Sequence, residues 1–177
     1  MITVRDARPE DCDALAELWA QYLEETYALR GTTHAHVLRR DAFGPRPWIR
    51  LAVAVGPQGE LRGAAAWRPG YDVHHFVRGV DLLDLYVCPA HRGRGVAVQL
   101  LAHVAARGRD EGAEYMRGGL AATGGPAERL YDRTCVFFEG RTANLSARAF
   151  RHLASLAGAD ARTLCRSLPE RAWNHEP

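Results

Sequence analysis

The sequence contains no lysine: histidines aside, every basic side chain among its 177 residues is an arginine. No lysine ammonium is therefore available to be modified or to pair with a carboxylate. Cysteine is sparse too. Cys12, Cys88, Cys135 and Cys165 are widely separated, with neither a CxxC pair nor the spacing of zinc ligands, so they read as reduced, buried thiols and no metal centre is expected. Excess charge is nearly absent, at +2 net with the arginines scattered, which leaves no electrostatic footprint for a nucleic-acid partner. No apolar run reaches membrane-spanning length and the first fifteen residues lack a signal core, so a cytoplasmic protein without a membrane partner is expected. No linker, repeat or low-complexity tract divides the chain, and one domain over residues 1–177 is expected.

The alternation of residues 2–5 predicts a first strand. Pro9 suits a helix start, with Glu10 and Asp11 favouring its positive end, and Leu15, Leu18, Trp19, Tyr22 and Leu23 form one helical face. Gly31 is the expected end of this helix, and a second, shorter helix is expected from about Thr33 to Arg40. Glu24 and Glu25 between them read as solvated helix surface, with attraction of a cationic ligand as the alternative. Residues 49–55 and 60–68 are strands joined by the turn Gly56-Pro57-Gln58-Gly59. Pro69-Gly70 then leads into a polar and aromatic loop, residues 71–76. Its adjacent His74 and His75 would point to opposite faces of an extended chain, which disfavours a metal site and leaves an imidazole free to bind a ligand or relay a proton.

The chain is organised around residues 80–107. VDLLDLYV is an apolar run too short for an ordinary helix and is ended by Cys88-Pro89, so it reads as a mostly buried strand. After it, Gly93 and Gly95 permit a tight turn, and Val96, Leu100, Leu101 and Val104 recur at helical spacing. A helix start offers unpaired N–H groups and the positive end of the macrodipole, and glycines let an anion approach them. Arg92 and Arg94 add two positive charges. The cradle is no Walker loop, since GxxxxGK[ST] is missing, and the GxGxxG dinucleotide pattern fails after Gly95. Further on, residues 114–120 read as a strand, 127–133 as a short helix, 135–138 and 142–145 as two strands, and Ser146 as the cap of a helix bearing Phe150, Leu153 and Leu156.

Arg92-Gly93-Arg94-Gly95-Val96-Ala97 resembles the cofactor motif [QR]xxGx[GA] of the GCN5-related N-acetyltransferase (GNAT) superfamily, and the preceding LYVCPAH resembles that family's fourth strand and its exit. The likeness implies a single-domain α/β fold with a mixed, mostly antiparallel central sheet flanked by helices. Its core would span about residues 1–146, with an extra C-terminal helical segment over about 147–177. It implies acetyl-CoA as co-substrate, the backbone of Leu85, Tyr86 and Val87 pairing with the pantetheine arm, and the pyrophosphate on the amides from Arg92 through Gly93, Arg94, Gly95 and Val96 to Ala97. Val87 N–H would donate to the thioester oxygen. Tyr131, in AERLY, matches the tyrosine that protonates the departing thiolate, and Asp84 is the candidate base for the amine, with Asp81, His74 and His75 in reserve.

Some amine-acetylating relatives carry a carboxylate where this chain has Leu83. An asparagine near Gly124 and a glycine near Cys135, both frequent in the family, are missing. The acceptor would be a small-molecule amine or a protein amine, its pocket drawing on residues such as Glu24, Tyr27, Trp48, Trp67 and the histidines. Dimers are common in the family, so a homodimer is expected with it. A non-catalytic acyl-CoA-binding module, or a nucleotide site in the same cradle, is the alternative.

Overall fold

The computed structural model describes residues 2–31, 34–119, 151–152, 154–156, 160 and 166–167. The chain divides into two compact units, Met1–Glu128 and Arg129–Pro177. The described part of the first unit is a five-stranded sheet in the order β1-β2-β3-β4-β5. The strands are β1 (Thr3–Asp6), β2 (Arg50–Val55), β3 (Leu61–Asp72), β4 (Val77–Val87) and β5 (Tyr115–Gly118), all antiparallel neighbours except the parallel pair β4 and β5. Helices α1 (Cys12–Tyr27), α2 (Ala35–Phe43) and α3 (Val96–Asp110) complete it. The mixed, mostly antiparallel sheet expected from the sequence is therefore present. Among the described residues no helix is long and apolar enough to cross a membrane.

Period-two alternation divides the sheet residues between two cores. Ala52, Ala54, Ala65, Trp67, Val80 and Leu82 face Val96, Leu100 and Val104 of α3. Leu51, Val53, Ala64, Ala66 and Tyr86 face Leu15 and Leu18 of α1, with Leu38 and Phe43 of α2 packed against them. The run of alanines keeps the sheet surface low, so Leu15 and Leu100 can be wholly buried against it. Trp67, expected from the sequence as an acceptor-pocket lining, belongs instead to the α3-side core, at 2% exposure.

Local chemistry sets the element ends. Pro9 opens a 3-10 turn, Pro9–Asp11, and Asp11 accepts from the backbone N–H of Arg8 at 2.7 Å while holding Arg5 through two bonds of 2.6 and 2.9 Å. The far end of α1 differs from expectation. The helix closes at Tyr27, and Ala28, not Gly31, takes the left-handed position at φ 54°. Its N–H donates to Glu24 O and that of Leu29 to Leu23 O, which satisfies the last carbonyls of the helix.

β3 also runs past its expected end, through Pro69 and Gly70. Its pairing with β2 stops at Trp67, and beyond that point β3 has, among the described residues, β4 alone beside it, so a residue without an N–H is tolerated. The stretch expected as a polar and aromatic loop, residues 71–76, is thus the end of a hairpin. Asp72 caps it, accepting from the N–H groups of His74 and His75 at 2.8 and 3.3 Å and lying 2.8 Å from His75 Nδ1. Asp84 is seven residues beyond the start of β4, roughly 23 Å along an extended strand, so neither histidine serves there.

In the second unit, Arg151–His152 and Ala154–Ser155 are helical, His152 Nε2 donates to Ser167 O at 2.7 Å, and Ser155 Oγ donates to His152 O at 2.7 Å. The expected elements over residues 127–145, including Tyr131, lie outside the described residues, as do Cys135 and most of the C-terminal segment.

Candidate active site

β4 has two halves. Residues Gly79 to Leu82 pair with β5, whose last residue, Gly118, stands opposite Leu82. Beyond Leu82 the same edge of β4, residues 83–87, has no strand partner among the described residues. The break coincides with a bulge: Trp67 stands opposite Leu82 and Ala66 opposite Asp84, leaving Leu83 as the extra residue. The bulge also changes parity. Leu82 packs toward α3, yet Asp84, two residues later, meets α1, because Leu83 consumes one step of the alternation.

The open edge presents usable donors. Cys88 N–H donates to Arg62 O on the β3 side at 3.0 Å, so alternation turns the N–H groups of Val87 and Leu85 toward the opposite, unpaired edge. That edge runs into the glycine loop. Gly93 and Gly95 have φ of 70° and 77°, and a Cβ built on either would meet nothing within 4 Å. The glycines are needed for their backbone angles, and the space beside them stays open. Gly95 is the N-cap of α3 and offers no side-chain acceptor, so the first-turn amides of Val96 and Ala97 retain their donor capacity. An open strand edge of N–H groups ending on an uncapped helix N-terminus fits the arm and pyrophosphate of acetyl-CoA.

The two arginines of the loop are placed differently. Arg94 is exposed. Arg92 is gripped by Glu25 of α1 through bonds of 2.6 and 2.8 Å, its Nε donates to Val87 O at 2.9 Å, and its guanidinium lies 5.5 Å from the Tyr86 ring centre. Glu25 also accepts from Tyr86 Oη at 2.9 Å. Arg92 and, less strongly, the Tyr86 hydroxyl hold the Glu25 carboxyl below the ordinary glutamate range. Burial, and then the bond to Glu25, push Tyr86 up to about 12. Glu25 is thus a tie between α1 and the glycine loop and not the solvated surface the sequence suggested.

Asp84 sits half-buried beside α1, where Tyr22 Oη donates to its Oδ1 at 2.6 Å. Tyr22 is packed among Trp19, Tyr27 and Tyr86, with ring centres 5.6, 5.9 and 5.6 Å away. Burial, and next the bond to Asp84, shift Tyr22 upward, so it stays a hydroxyl donor at neutral pH. Asp81, by contrast, faces Arg117 and Arg68 at 2.7 and 3.5 Å. Sequence reading assigned Tyr22 to a packing face and used only the backbone of Tyr86. The available signal was that Trp19, Tyr22 and Glu25 recur every three residues on one helical face.

A cavity of about 220 Å³, lined by Trp67, Gly79, Gly108 and Glu111 among others, lies at the C-terminal end of α3, the opposite end of that helix from the glycine loop.

The acetyltransferase (GNAT) family model matches residues 12–137, which includes all of this site. Over 123 residues the chain is 28% identical to a thialysine N-epsilon-acetyltransferase of Mus musculus, covering 64% of this chain and 71% of that one. It is 33% identical over 91 residues to a streptothricin acetyltransferase of Streptomyces lavendulae, 51% of this chain and 46% of that one. An integron cassette protein from the mobile metagenome of V. cholerae shares the fold at a TM-score of 0.72 and 14% identity, covering 86% of this chain and 97% of its own. A ribosomal-protein-alanine N-acetyltransferase from Brucella melitensis biovar Abortus 2308 does so at 0.66 and 18%, covering 82% and 98%. The match of the family model over most of the chain, on a sheet whose strand β4 leads toward an uncapped helix N-terminus, makes this protein a member of the GNAT acetyltransferase family.

Proposed function

We propose that this acetyltransferase transfers the acetyl group of acetyl-CoA to the primary amine of a small molecule, by direct attack of the amine on the thioester. The observation that carries the reading is the meeting of three features at one end of β4: the unpaired edge, the glycine loop, and a carboxylate turned to the α1 side. The names of the thialysine and streptothricin acetyltransferases support a small amine as acceptor.

Bound acetyl-CoA supplies the activated carbonyl. Leu85 and Val87 turn their backbone groups to the edge that receives its pantetheine arm, whereas Tyr86, expected to share that role, pairs with Ala64 of β3; Arg92, Gly93, Arg94, Gly95, Val96 and Ala97 form the pyrophosphate loop. Arg92 acts there while tied to Glu25, and Arg94, which forms no ion pair among the described residues, is the loop's second cation. Val87 N–H donates to the carbonyl oxygen as negative charge develops on it. Asp84 accepts the proton that the acceptor ammonium must lose before its nitrogen can attack. Tyr131 delivers a proton to the departing sulfur, an assignment that rests on its place in AERLY.

Thiol release from acetyl-CoA is the measurement, with thialysine and streptothricin as first acceptors. Amine-dependent release that falls at least tenfold in Asp84→Asn, and in Tyr131→Phe with acetyl-CoA affinity retained, is the expected result. A thermal shift with acetyl-CoA and no release with any amine would replace the reading by a non-catalytic acyl-CoA-binding module.

A further inference from the structure

We propose that Tyr22 is the positioning residue for Asp84: its hydroxyl, donating to Asp84 Oδ1, holds the carboxylate in the orientation from which the other oxygen takes the proton of the acceptor amine. The inference rests on the reading of Asp84 as the base.

Asp84 faces α1 because of the Leu83 bulge, and among the described residues it forms no ion pair, although every Lys/Arg position in the chain is an arginine. Asp81, three residues earlier, has two arginines. A half-buried carboxylate without a cationic partner is held by no ion pair, and so keeps its torsional freedom. Tyr22 removes that freedom without adding charge. The bond is short, at 2.6 Å, and engages one oxygen. The donor is itself rigid, since Trp19, Tyr27 and Tyr86 surround its ring and α1 carries its backbone. Burial and the bond to Asp84 shift the phenol upward, so it remains a donor to Asp84 at neutral pH. Among the described residues nothing bonds the second oxygen of Asp84, which is left for the amine. Helix α1 is thereby more than a wall of the core: it sets the angle at which the acceptor approaches.

The test is a double-mutant cycle of Tyr22→Phe and Asp84→Asn, assayed by thiol release with thialysine. Tyr22→Phe removes one oxygen and keeps the ring. If it acts through Asp84, it lowers kcat about tenfold, leaves the acetyl-CoA KM within about twofold, and has almost no further effect in the Asp84→Asn background. A structural role would give multiplicative losses in the two backgrounds and a raised acetyl-CoA KM, and either result overturns the proposal. Thermal unfolding of the same four proteins needs no acceptor. Coupled changes in melting temperature are expected, and additive ones would also overturn it, because the bond would then not be formed. A loss in Asp84→Asn with full activity in Tyr22→Phe removes this inference alone. Full activity in Asp84→Asn removes the assignment of the base.

Discussion

Glu25, on the last turn of α1, holds Arg92 of the glycine loop by two bonds of 2.6 and 2.8 Å, joining positions 67 residues apart. Arg92 in turn caps Val87 O, so the end of β4, the loop after it and α1 are tied through one guanidinium. The arrangement leads to a pH dependence. The folded-state pKa of Glu25 is lowered from 4.5, chiefly by its bond with Arg92, so its contribution to stability is fully present above 4.5 and is lost as pH falls through the folded value. Comparing the melting temperatures of wild type and Glu25→Gln from pH 3 to 8 should show a constant gap above about pH 5.5 that narrows on acidification. A gap that widens at low pH would contradict the assigned pair.

Gly95 is required for its backbone angle at the entry to α3, φ 77° with open space where a Cβ would stand. Gly95→Ala should cost about 1–2 kcal/mol through the left-handed conformation while the protein still folds. The rise in melting temperature produced by acetyl-CoA should shrink or vanish in this variant, and an undiminished rise would remove the loop from the cofactor site.

Ala28 closes α1 in a left-handed conformation, φ 54°, where glycine carries no steric penalty. Ala28→Gly should therefore stabilise the protein by about 0.5–1 kcal/mol, a gain that urea unfolding would read as a higher midpoint at unchanged slope. Destabilisation would mean that the helix end is not held as described.

Leu100 is fully buried where α3 meets the sheet. Leu100→Ala should lower unfolding free energy by about 2–5 kcal/mol, whereas Val98→Ala on the same helix, at a position 51% exposed, should change it by less than about 0.5 kcal/mol. Denaturant unfolding of both variants separates the two.

The order of strands and helices through Gly118 was legible because alternation and helical spacing are local properties of the chain. The glycine loop was legible for a similar reason: strand, two glycines and an apolar helix stripe adjoin in sequence, and together they imply an anion cradle. Errors arose where a local signal was overruled. Gly31 looked like the helix end, but hydrogen bonds to Glu24 and Leu23 closed the helix three residues sooner at an alanine. Pro69-Gly70 looked like a break, but the absence of β2 beside it let the strand continue.

By itself the sequence determined the order of the elements through Gly118, the glycine loop between β4 and α3, and the family, since each depends on residues close together in the chain. Only the tertiary structure decided which side chains meet. Whether Asp84 faces α3 or α1 depends on one unpaired residue, Leu83, in the ladder between β3 and β4. Whether Tyr22 is packing or partner, and whether Glu25 is surface or tie, depends on what stands 62 and 67 positions away. No local period encodes such pairings, because they form only when the sheet brings β4 and its exit loop against α1.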